Sequence, residues 1–229
     1  MKQIFPFLLF AFALFPKVEA QEDIYKMELG AMLGSSFYLG DANYTSLYKG
    51  TRPMGGIVAR YIFNPRIALK ANLAMAGIKG STDGDKNKFP FETSFSRTLY
   101  DLGVQAEFGL WSYGIGPEYL GYKRCQPYLI AGMGFTYASR PTQSVIAVNF
   151  PVGIGVKYKL KPRWNIGLEF TMRFSTSDEL DVTNATEALN DPYRIKSGGL
   201  KNKDSYSFTS VFVTYDLFPQ CKNCNKLEN

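Results

Sequence analysis

VGIGVKYKLKPRWNIGLEFTM, Val152 to Met172, carries an apolar residue at nearly every second position and then, after one Lys-Pro, does so again. Val152, Ile154, Val156, Tyr158 and Leu160 alternate with Gly153, Gly155, Lys157 and Lys159, which is the period of a β-strand. Beyond Lys161-Pro162, Trp164, Ile166, Leu168, Phe170 and Met172 share one face, and Asn165, Gly167, Glu169, Thr171 and Arg173 the other. Two such runs with so short a link form a hairpin. A soluble sandwich turns its apolar face inward, whereas a membrane barrel turns it to lipid and hides the polar face. Periodicity does not choose between them.

The ends and composition narrow the choice. MKQIFPFLLFAFALFPKVEA has Lys2, an apolar run from Ile4 to Phe15, and the small-residue site Val18-Glu19-Ala20, so residues 1–20 are expected to be a secretory signal peptide. No cysteine follows the expected cut, so no lipoprotein anchor is expected there. No later run of about 18 apolar residues predicts a membrane helix. The remainder suits one domain, expected over residues 21–218, with 219–229 as a C-terminal tail. Aromatics at 15%, 21 glycines and a slightly negative mean hydropathy describe a strand-rich chain that is not greasy overall, as a barrel with a polar lumen is. Without the signal, 24 Lys and Arg stand against 19 Asp and Glu, and the surplus is spread along the chain, so nucleic-acid binding is not indicated.

Eight strands are read along the chain. The first begins at Ile24, with Tyr25, Met27, Leu29, Ala31, Leu33, Phe37 and Leu39 on its apolar face. The second runs from about Met54 to Phe63, turns at Asn64-Pro65, and returns as Ile67, Leu69, Ala71, Leu73 and Met75. The fourth alternates from Tyr100 to Leu110, the fifth covers Gln126–Ala138, the sixth Val145–Leu160 and the seventh Arg163–Ser175. The eighth, about Asp204 to Phe218, alternates poorly. Tight turns at Asn64-Pro65 and Lys161-Pro162 contrast with long polar loops at 41–52, 81–91 and 176–203, the asymmetry of outer-membrane barrels. By the same parity Ser112–Cys125 is too long for a periplasmic turn, and Ser139–Ser144 is short for an outer loop. The expected fold is all-β: an eight-stranded antiparallel transmembrane β-barrel with a filled polar lumen, both termini periplasmic.

Gly30, Gly34, Gly56, Gly103, Gly132, Gly134, Gly153, Gly155 and Gly167 fall on the same face as the charges. Small residues let bulky neighbours fit inside a narrow barrel. Lys26, Glu28, Arg60, Lys70, Asp101, Glu107, Lys157, Glu169 and Arg173 share that face with mixed sign, so a lumen charge network is expected rather than a catalytic constellation. A lipocalin-like soluble barrel is the structural rival, but its interior would have to take Tyr100, Phe108, Tyr158, Trp164 and Phe170 together.

Composition also limits the chemistry. With no histidine, the Ser-His-Asp and Cys-His arrangements cannot be assembled, and the imidazole zinc ligands are missing. Glu107 and Glu169 are an acid pair with nothing to place a substrate beside them. Asp83-Gly84-Asp85-Lys86-Asn87 starts like a calcium loop, yet Lys88 stands where glycine is required and Ser94 where the closing glutamate belongs. Gly132-Met133-Gly134 and Gly153-Ile154-Gly155 sit within strands, away from a strand-to-helix turn, and Asn184-Ala185-Thr186 is a glycosylation pattern of the kind chance supplies. Neither an enzyme nor a cofactor is expected, and an eight-stranded lumen is too narrow for a general porin.

GSSFYLGDANY, RYIFNPRIALKANLAMAGIKG, QPYLIAGMGFTYASRP, FPVGIGVKYKLKPRWNIGLEFTMRF, STSDELDV and NKDSYSFTSVFVTYDLFPQC together resemble the PorG family of Bacteroidetes. The resemblance covers nearly all of the mature chain. It implies an outer-membrane component of the type IX protein secretion system, associated with a periplasmic ring of the lipoprotein PorK and its partner PorN, and it carries over no catalytic residue. The alternative is a free-standing barrel that binds surface ligands through outer loops such as 176–203, as small adhesins do. Cys125, Cys221 and Cys224 all fall at the periplasmic end by strand parity, a disulfide-permitting compartment. Three thiols leave one over after an internal bridge, so the expectation is either an idle cysteine or a covalent link to a periplasmic partner. Cys221-Lys222-Asn223-Cys224 lacks the surroundings of a redox or zinc motif.

Overall fold

A computed structural model describes residues 24–39, 48, 50–81, 94–115, 121–139, 144–176 and 205–220. The expected signal peptide, the stretch from Asp83 to Lys88, the 184–186 site, Cys221 and Cys224 lie outside the described residues. Eight strands, β1 (Ile24–Leu39), β2 (Arg52–Asn64), β3 (Ile67–Ser81), β4 (Ser94–Gly109), β5 (Cys125–Ala138), β6 (Val145–Lys161), β7 (Trp164–Ser175) and β8 (Ser205–Gln220), pair antiparallel in chain order. β1 pairs with β8, from Ile24 opposite Gln220 to Leu39 opposite Ser205, and this closes the barrel. Closure removes the sheet edges, so every strand finds two neighbours for its backbone groups.

The barrel is inside out relative to a soluble protein. Leu29, Leu33, Ile57, Leu69, Leu102, Leu129, Met133, Ile154 and Leu168 are exposed on the outer wall, while Glu28, Arg60, Lys70, Asp101, Glu107 and Glu169 are buried. Exposed aromatics collect towards both strand ends: Tyr61, Phe63, Phe108, Tyr158 and Trp164 near the tight turns, and Tyr100, Phe135, Tyr137 and Phe174 near the opposite ends. An apolar band between two aromatic girdles is the outer surface of a membrane-spanning barrel. Leaving it in water would forfeit about 25 cal/mol for each Å² of apolar surface, whereas lipid covers it.

Three sequence readings are corrected. β4 starts at Ser94, six residues before the alternation from Tyr100, and pairs with β3 out to Ser81. β8 reaches Gln220, two residues past the Phe218 limit read from its alternation. At the start of β1, Tyr25 was placed on the lipid face but is buried, with Lys159 Nζ 5.8 Å from its ring centroid, while Lys26, expected inside, is only half-buried. The β1–β8 ladder skips Lys26, opposite Phe218, whose φ of 58° lies in the left-handed region. A non-glycine residue there breaks strict alternation. Phe37 does fall on the outer parity, yet it is fully covered: Tyr48, from the β1–β2 connection, stacks on it at 4.6 Å and bonds Thr209 Oγ1 at 3.0 Å.

Candidate functional site

The lumen is packed in three levels. In the middle, Arg60 on β2 donates from Nε to both oxygens of Glu107 on β4 (2.8 and 3.0 Å), from Nη1 to Glu28 on β1 (3.2 Å) and from Nη2 to Glu169 on β7 (2.7 Å). Lys70 on β3 adds bonds to Glu169 (2.6 Å) and an ion pair to Glu107 (3.6 Å), and Tyr128 on β5 donates to Glu169 (2.6 Å). Lys157 on β6 lies 3.6 Å from Glu28. Groups from seven strands therefore meet at one level, which ties the walls together across the lumen. The face of Phe212 covers the Arg60 guanidinium at 4.1 Å.

Towards the long-loop end, Asp101 accepts from Asn72 (3.0 Å), Asn149 (2.9 Å), Tyr206 (2.8 Å) and Arg173 (3.3 Å). Phe208 lies 3.9 Å from the Arg173 guanidinium. Towards the tight-turn end, Lys159 bonds Asp216 (2.5 Å), and Asn165 bonds both Asp216 (2.5 Å) and Thr214 (3.3 Å). Among the described residues, five buried acids, Glu28, Asp101, Glu107, Glu169 and Asp216, thus stand with six buried bases, Arg60, Lys70, Arg97, Lys157, Lys159 and Arg173, of which Arg97 donates to Ser139 O (3.3 Å). Ion pairing and hydrogen bonding of this kind offset the cost of taking charged side chains out of water.

The glycines make room for rings. A Cβ on Gly155 would lie 2.6 Å from Tyr128 Oη, and one on Gly167 would lie 2.6 Å from Phe212 Cε1. Every charge expected in the lumen except Lys26 is brought there. Lys159 and Asn165 belong to the polar face of the hairpin but not to the expected charge network, and Arg97, Asp216, Tyr128, Tyr206, Asn72 and Asn149 were not singled out from sequence. All share the parity of the charged face, but in β8 Tyr206, Phe208 and Phe212 occupy inward positions, so apolar residues stand on both faces and mask the alternation around Asp216.

The described residues of the β4–β5 connection pack against the tight-turn end. Tyr113 points into the lumen, where its hydroxyl donates to Asn165 Oδ1 (2.7 Å) and its ring lies 4.3 Å from Lys157 Nζ. Burial pushes its phenol well above the ordinary value, so it stays neutral. Tyr113 N donates to Pro65 O (3.1 Å), and Gly114 N to Lys123 O (3.2 Å). Gly114 has φ of 146°, a turn that a side chain would strain. Gln126 donates to Pro65 O (3.0 Å) and to Trp111 O, while Trp111 Nε1 donates to Cys125 O. Cys125 itself is exposed with a free thiol.

The comparisons with known proteins fit a chain of this shape. The family model described as Domain of unknown function (DUF6089) matches residues 2–226. The chain belongs to that family. No curated protein matches it. Among solved structures it is similar to Neisserial surface protein A (NspA), at 13% identity over 83% of this chain and 97% of that one, with a TM-score of 0.50. The N-terminal β-barrel domain of Pseudomonas aeruginosa OprF is also similar, at 10% identity over 86% of this chain and all of that one, with a TM-score of 0.48. At such identities the likeness concerns the fold alone.

Proposed function

We propose that this DUF6089 barrel is a non-enzymatic outer-membrane component of a protein secretion system of the type IX kind, acting by holding a periplasmic assembly rather than by conducting solutes. The packed lumen carries this reading. A lumen filled by eleven buried charged side chains among the described residues, with Tyr113 inserted at one end, leaves the two faces of the barrel as its working surfaces. The resemblance to the PorG family supplies the assembly, a ring of proteins like PorK and PorN. The chain ends and tight turns face the periplasm in this reading, which puts the structured β4–β5 connection on the ring side.

Cys125 supports a covalent variant of the same association. It is exposed at the start of β5, on the end where β8 leads into Cys221 and Cys224. A disulfide from one of the three to a ring protein compensates for the small noncovalent interface that a narrow barrel offers. Thiol-blocked membranes run without reductant should then show a heavier band that collapses on reduction. A monomeric band with the ring still bound removes the covalent link.

Deletion of the gene tests the main reading. Secreted substrates should accumulate behind the outer membrane, and the tagged barrel should bring down the ring proteins. Normal secretion in the deletion strain, with host or glycan ligands binding the outer loops instead, replaces the reading with an adhesin.

A further inference from the structure

The tight-turn end presents cations from every described connection. Arg66 stands in the β2–β3 turn, Lys123 and Arg124 in the β4–β5 connection, and Lys161 and Arg163 at the β6–β7 turn. Arg66, Lys123, Lys161 and Arg163 are exposed, and Arg124 is half-buried. Among the described residues no exposed acid stands at this end: Asp216, Glu28 opposite it in the β1–β8 ladder, and Glu107 near the end of β4 are all buried in lumen pairs, and Glu22, Asp23 and Glu118 lie outside the described residues. The positions of these cations are built rather than loose. Lys123 N donates to Ser112 O (2.9 Å), its ammonium lies 4.8 Å from the Trp111 ring, and Lys159 N donates to Arg124 O (2.8 Å). Arg163 is held by the hydroxyls of Tyr215 (3.2 Å) and Tyr25 (3.3 Å).

We infer that this end is a docking face for an acidic protein surface, a conclusion that rests on the periplasmic-ring reading above and specifies how the ring is held. Cations beyond an aromatic girdle also suit lipid phosphates, but the placement of Lys123 distinguishes the two. Its backbone lies beside Tyr113, the residue inserted into the lumen, so it sits over the mouth of the barrel rather than on the rim that lipid surrounds. A hairpin of this parity needs a turn of only a few residues, as at Pro65 and Pro162. The described residues of the longer β4–β5 connection are instead bridged at Tyr113 and Lys123 and fixed to Pro65 O through Tyr113 N and Gln126, which gives a partner a preformed surface. Preformed charge lowers the ordering cost of association and speeds encounter with the opposite sign.

The test uses the full chain, tagged and expressed in its own outer membrane. The triple variant Arg66→Glu, Lys123→Glu, Lys161→Glu reverses one exposed cation in each connection and touches no lumen group. Heat-dependent gel mobility checks that it still forms the barrel. Recovery of the PorK-like and PorN-like proteins should fall by about tenfold or more, since each exposed pair is worth up to a factor of about five and reversal adds repulsion. Wild-type recovery should fall as salt rises, and Lys79→Glu at the opposite end should change nothing. Undiminished recovery by the triple variant overturns the face while leaving the ring reading intact, and loss of anionic phospholipid from that variant would then assign the cations to headgroups. Equal loss in Lys79→Glu also overturns it. A wild-type preparation without ring proteins overturns it outright, and secretion in the deletion strain decides separately whether the broader reading survives.

Discussion

Replacing Arg60 by methionine keeps most of the side-chain volume and removes the cation at the centre of the lumen. Arg60 is fully buried and meets Glu28, Glu107 and Glu169 at 2.7 to 3.2 Å. After the change, Lys70 still reaches Glu169 (2.6 Å) and Glu107 (3.6 Å), and Lys157 still faces Glu28 at 3.6 Å, so the three carboxylates of this centre are left with two bases. Breaking a buried pair costs about 3–5 kcal/mol because the partner is left uncompensated. With three carboxylates losing the same guanidinium, a value near the upper end is expected. Adding Glu107→Gln removes one stranded charge and should restore about 1–3 kcal/mol, the coupling expected of groups in one network. The measurement is guanidinium unfolding of barrel refolded in detergent micelles, followed by the fluorescence of Trp111 and Trp164 and by the mobility of unheated samples. A loss for Arg60→Met below about 1 kcal/mol, or a double variant no more stable than the single one, refutes the view that the lumen is held by this charge centre.

Three further outcomes are expected. Leu102→Arg, in mid-strand on the outer wall and 56% exposed, should destabilise the barrel in lipid by about 2–4 kcal/mol, whereas Ile146→Arg, 73% exposed near the long-loop end, should cost no more than about 1; equal costs in vesicle unfolding would contradict the assigned membrane band. Gly155→Ala should cost about 1–3 kcal/mol, because its Cβ meets the Tyr128 ring, and Tyr128→Leu in the same chain should recover part of that despite losing the bond to Glu169; no cost for the single change would show that the ring has room to move. Purified barrel in planar bilayers should give no steady conductance, and stable ohmic openings would refute a sealed lumen.

Much of the architecture is legible in the alternation itself. The period of two places Val152 to Met172 in a hairpin and sorts its residues into two faces before any contact is known. The absence of a turn longer than Lys161-Pro162-Arg163 sets its register. The inward charges were legible too, because Glu28, Arg60, Lys70, Asp101, Glu107, Lys157, Glu169 and Arg173 keep one parity within their strands. What local pattern does not contain is contact between strands far apart in the chain. Arg60 and Glu169 are 109 residues apart and meet only because the barrel closes β8 on β1 and makes its lumen narrow. The same closure makes inward aromatics useful as spacers beside guanidinium groups, which is why β8 carries Phe208 and Phe212 on the face where polar residues were expected, and why Asp216 passed unnoticed. Tyr113 belongs to a connection with no periodicity to read, and its place in the lumen depends on Asn165 and Lys157 standing at the mouth to receive it. Strand period is a property of neighbouring residues and can be read from the chain, whereas the partner of a buried charge is set by the closed surface around it.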